Sequence, residues 1–86
     1  MKIEIRKPTE KEQKEMKKEA IWTCEVSEFP WHYDQKETCL ILEGEVAVKT
    51  KDGEARFGPG DLVTFPQGLD CQWQVKKPVR KHYRFG

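Results

Sequence analysis

The chemistry this chain could support rests on a few groups: Cys24, Cys39 and Cys71, the histidines at 32 and 82, and Glu37 at the head of an apolar run. The three thiols lie far apart, form no C-x-x-C pair and follow no secretory signal, so free thiols are expected rather than a disulfide framework. No Cys/His/Asp arrangement stands at a spacing that supports covalent catalysis. Glu37, Cys39 and Ile41 alternate with Thr38, Leu40 and Leu42, which puts Glu37 and Cys39 on one strand face. On an inner face that carboxylate would need a metal, a base or a hydrogen-bond donor, because an unpaired buried charge is costly. The last strand poses a similar choice. Either Lys81 and Tyr83 or Arg80, His82 and Arg84 point inward, and Val79, Tyr83 and Phe85 favour the first set. An inward cation would pair with Glu37 or hold a carboxylate-bearing small molecule. Trp22, Trp31, Trp73, Phe65, Tyr83 and Phe85 are first of all core and rim, and aromatics inside a small barrel also line ligand sites.

These residues need strands to position them. Lys2 to Arg6 alternate as a short strand that Pro8 ends, and Thr9 with Glu12 forms a capping box for a surface helix over Glu10 to Glu19, with Met16 and Ala20 as its apolar stripe. From residue 21 the period becomes two, with Trp22, Cys24 and Val26 on one side. Phe29-Pro30-Trp31-His32-Tyr33 reads as an irregular edge or loop because of its proline. Glu37 to Glu43 is a strand apolar on both faces, which calls for cover by a helix or a second subunit and hints at a homodimer. Gly44 turns the chain into Glu45 to Thr50. Asp52-Gly53 marks a hairpin into Glu54 to Phe57, and Gly58-Pro59-Gly60-Asp61 a second turn. Strands follow over Leu62 to Phe65 and Leu69 to Val75, then a turn at Lys76-Lys77-Pro78 and a last strand, Val79 to Phe85. About eight short strands separated by turn signals describe an all-β sandwich, jelly roll or small barrel.

Eighty-six residues suffice for one domain, 1–86, divided into an N-terminal strand and helix over 1–20 and a barrel over 21–86. Sixteen Lys and Arg face fifteen Asp and Glu, so the net charge of +1 offers no field for nucleic acid or an anionic membrane. The basic run Lys76, Lys77, Arg80, Lys81 and Arg84 reads as a solvated strand and its turn. With no apolar leader and no stretch of about 20 apolar residues, a cytoplasmic protein is expected.

Glu37 with Gly44 seven residues later, and Gly60-Asp61-Leu62-Val63-Thr64-Phe65-Pro66-Gln67-Gly68, resemble the two cupin motifs. Trp22 through Phe85 looks like the small single-domain cupins grouped with ureidoglycine aminohydrolase and the ethanolamine-utilisation cupins. The resemblance implies an antiparallel double-stranded β-helix, the cupin jelly-roll barrel, holding a small polar molecule, with or without a divalent metal (Zn, Fe, Mn or Ni) and hydrolase or isomerase chemistry. It puts the metal-binding glutamate of the family on Glu37, as ligand or general base. The family's His-x-His pair falls on Pro30 and His32 or on Trp31 and Tyr33, according to the count, and its third histidine on Cys71. The implied metal set is therefore His32, Glu37 and Cys71, inside a pocket of Trp31, Tyr33, Cys39, Phe65, Trp73, Lys81 and Tyr83. The missing histidines favour the other reading, a metal-free module for ligand binding or dimerisation.

Overall fold

The structure, a computed structural model, describes residues 1–86. The chain forms strands β1 (Glu4–Arg6), β2 (Ala20–Cys24), β3 (Ser27–His32), β4 (Glu37–Thr50), β5 (Gly53–Phe57), β6 (Leu62–Phe65) and β7 (Asp70–Phe85), with one helix, α1 (Glu10–Met16). All strand pairs are antiparallel.

Two long strands build the barrel. The first part of β4 pairs with β6 and with the second half of β7, while its last part pairs with β5 and with the first half of β7. β1 extends the first sheet beside β6, and β2 and β3 close the two sheets against β7. Register shifts between Ile41 and Val46 mark where β4 passes from one sheet to the other. Such bulges bend a strand without ending it.

This corrects two expected turns. Gly44 sits inside β4 at φ 104°, and Pro78 lies inside β7. A proline is tolerated where ladder bonds are already interrupted. The expected loop around Pro30 is also a strand: β3 runs along β7 as an edge, the place in a sheet where a proline is tolerated.

Alternation then sorts the side chains. Cys39, Ile41, Val46, Val48, Phe57, Val63, Phe65, Trp73, Val75 and Val79 fill the barrel interior. Leu40 and Leu62 face outward and are covered by Met16 of α1. The second apolar face of β4 therefore finds its cover within the chain, and that face no longer argues for a partner subunit. The helix is fixed by its capping box, with Glu12 N donating to Thr9 Oγ1 and Thr9 N to Glu12 Oε1. It stops after two turns, shorter than expected, and no helix is long and apolar enough to cross a membrane.

Candidate functional site

At one end of the barrel a cavity of about 260 Å³ opens between the sheets. Its walls are seven aromatic side chains, and its two charged lining residues are Glu37 and Lys81. Glu37 begins β4, and Lys81 is its near neighbour on β7, where Ile41 pairs with Lys81 and Glu37 with Phe85. Each is only 4% exposed, and Lys81 Nζ donates to Glu37 Oε2 at 3.2 Å. The ammonium also lies 4.8 Å from the centroid of Trp22 and 4.6 Å from that of Trp73. A carboxylate and two π faces thus replace the water this charge loses, the faces contributing about 0.5–2 kcal/mol each.

Tyr33 follows β3 and is held by backbone bonds on both sides: its N–H donates to Leu69 O at 2.9 Å, and its carbonyl accepts from Gly68 N at 2.7 Å. Its ring stacks on Phe65 with centroids 4.8 Å apart. Burial pushes the Tyr33 hydroxyl above its ordinary value, and the charge of Glu37 adds to the effect. Cys39, between Glu37 and Ile41, is likewise raised by burial, with Lys81 partly opposing. Trp73 Nε1 is buried and has no hydrogen-bond partner.

The residues expected from sequence divide cleanly. Glu37, Trp31, Tyr33, Trp73, Lys81 and Tyr83 line the cavity, while Cys39 and Phe65 lie behind it in the core. Of the alternatives on β7, Lys81 and Tyr83 face inward. His82, on the other face, is also buried, and its Nδ1 lies 3.0 Å from the carbonyl of Glu19 beneath the helix end. Trp22, Phe29 and Phe85 complete the cavity wall. The alternation of Trp22 with Cys24 was the available signal for the first. Phe29 lay in the stretch read as irregular, so its face was not assigned.

The metal set is not gathered. His32 stands opposite Asp70 on the outer face of β3, 52% exposed, with Nδ1 2.7 Å from Asp70 Oδ1 and Nε2 3.5 Å from Asp34 Oδ1. Cys71 faces inward, and its thiol donates to the carbonyl of Trp31 at 3.6 Å. The reason is parity: Trp31 and Tyr33 line the cavity, and His32 between them points away. Glu37 is already held by an ammonium, and no three His, Cys, Asp or Glu side chains are arranged to hold a metal ion. The donor set does not fit a divalent cation.

Burial raises Cys71 to about 11, with the charge of Asp70 contributing. The folded chain therefore retains thiol protons that the unfolded chain releases near pH 9. The unfolded state binds fewer protons above that point, so stability is lost as pH rises. The urea midpoint is expected to fall from roughly pH 8 to 10.5, and to fall less in Cys39→Ala. Equal slopes in the two proteins would mean that Cys39 ionises alike folded and unfolded.

A family model described as the EutQ-like cupin domain matches residues 11–83. A solved DUF861 family protein from Thermotoga maritima is 53% identical, with TM-score 0.93, over 99% of this chain and 100% of that one. The Clostridium difficile EutQ protein shares the fold at 18% identity and TM-score 0.70, over 76% of this chain and 52% of that one. The chain thus spans about half the length of that EutQ protein. A protein of unknown function (DUF1255) from Acidithiobacillus ferrooxidans aligns at 14% identity and TM-score 0.68, over 72% of this chain and 60% of that one. A search of curated proteins found no match.

Proposed function

The chain belongs to the EutQ-like cupin family, and we propose that its barrel is a metal-independent receptor for a small polar molecule, gripped between aromatic walls and the Glu37–Lys81 pair. The observation that carries this reading is the pair itself, two charges 3.2 Å apart at the floor of an otherwise aromatic cavity. Apolar walls with a few convergent polar groups are the common make-up of ligand sites. At about 260 Å³ the cavity falls just below the range of roughly 300–1,000 Å³ that houses drug-sized ligands, so its occupant is small. The ammonium supplies a positive charge directed at an acceptor on the ligand. Glu37 keeps a second oxygen for a donor.

The test joins elemental analysis of protein purified without tags or chelators to thermal unfolding with small carboxylates, amides and carbonyl compounds. The expected result is metal far below one equivalent, a midpoint indifferent to EDTA, and stabilisation by part of the panel. A ligand at ~10 times its Kd adds roughly 1.4 kcal/mol and raises the midpoint by about 6–11 °C. Trp31→Ala, which removes a half-exposed wall at the mouth, should abolish that shift while leaving the unliganded midpoint nearly unchanged. Near-stoichiometric metal lost on Glu37→Gln would overturn the reading.

A further inference from the structure

Lys81 is the only lysine of twelve that is not exposed, and its Nζ ends in the cavity beside a carboxylate. An ion pair needed only for stability has no reason to border empty space, and burying one costs more desolvation than it returns unless the geometry is excellent. A primary amine at the floor of an aromatic pocket, 3.2 Å from a carboxylate able to take its proton, brings together a nitrogen nucleophile, a proton acceptor and walls that desolvate both, although the same carboxylate favours the ammonium and must accept its proton before the nitrogen can attack. From this geometry we infer that Lys81 is a nucleophile that condenses with a small aldehyde or ketone in the cavity, with Glu37 carrying the protons. The inference rests on the receptor reading above and names its ligand class.

Each step balances without an outside reagent. Glu37 Oε2 takes one proton from the ammonium, and the freed lone pair forms a bond to the carbonyl carbon as the C=O π electrons move onto oxygen. A proton passes from nitrogen to that oxygen, giving a neutral carbinolamine. Glu37 then returns its proton to the hydroxyl, which leaves as water while the nitrogen lone pair forms C=N. The sum is an ammonium and a carbonyl giving an iminium and water, with Glu37 again a carboxylate. The product cation stands where the ammonium stood, so the ion pair and the contacts with Trp22 and Trp73 survive the reaction. The aromatic walls limit the water that would reverse it.

The full-length chain is incubated near neutral pH with butanal or benzaldehyde and sodium cyanoborohydride, then analysed by intact mass and peptide mapping. The expected result is one early adduct per chain, on Lys81, formed at least tenfold faster than on any other lysine and slowed in Glu37→Gln. Lys81→Arg, which keeps the charge, should fold and lose that adduct. Adducts spread over the eleven exposed lysines, with Lys81 modified last or not at all, would overturn the inference, because a structural ion pair shields its amine. Thermal shift with butyramide, which binds without condensing, separates the two readings. Stabilisation by the amide with no labelling of Lys81 leaves the receptor standing and removes the imine. Labelled Lys81 with no stabilisation by any panel member does the reverse.

Discussion

Lys81→Met is expected to lower the free energy of unfolding by about 3–5 kcal/mol at neutral pH, the range for removing one partner of a buried pair. Methionine fills similar space, so the loss comes from Glu37, left in an aromatic cavity with no cation beside it. Against the roughly 4–13 kcal/mol expected of a chain this size, that is a large fraction. Combining Lys81→Met with Glu37→Leu should restore most of the loss, since an apolar replacement of both partners leaves nothing unsatisfied. A double variant as unstable as the single one would mean that Lys81 acts through packing against Trp22 and Trp73 rather than through charge.

Gly44→Ala is expected to be at least as damaging, and for a reason of backbone rather than charge. At φ 104° a side chain is strained, which costs about 1–3 kcal/mol. A Cβ there would also lie 2.5 Å from the carbonyl oxygen of Pro78 and 2.6 Å from Cα of Val79. Both are main-chain atoms of β7, and neither can withdraw without breaking the pairing of Glu43 with Arg80 and of Glu45 with Lys77. Loss beyond about 4 kcal/mol, visible as poor soluble yield or a midpoint more than roughly 16 °C lower, is the expected outcome. Gly53→Ala is the internal control: φ is 136°, yet no atom lies within 4 Å of the added Cβ. Equal losses at the two glycines would show that strain alone matters and that β4 and β7 can separate at their bend.

The sequence by itself determined the all-β class, the capping box at Thr9, the hairpin at Asp52-Gly53 and the shared face of Glu37 and Cys39, and it favoured Lys81 and Tyr83 as the inward pair of the last strand. Each follows from a local rule, either the two-residue period of a strand or the chemistry of a turn. The family resemblance carried by Glu37, Gly44 and the Gly60 to Gly68 segment added the barrel. What local rules could not decide was where a strand ends. Gly44 and Pro78 carry the marks of turns, and only the facing of β4 against β7 makes them the two sides of one bend, because a bulge is a property of a pair of strands. Parity in the aromatic stretch was equally out of reach: only the pairing of Trp31 with Cys71 and of His32 with Asp70 turned Trp31 inward and His32 outward. Tertiary structure also put Nζ of Lys81 against Glu37 across 44 residues of sequence, choosing one of the two roles the sequence left open for an inward cation. Such a contact depends on register between distant strands, which no local pattern contains.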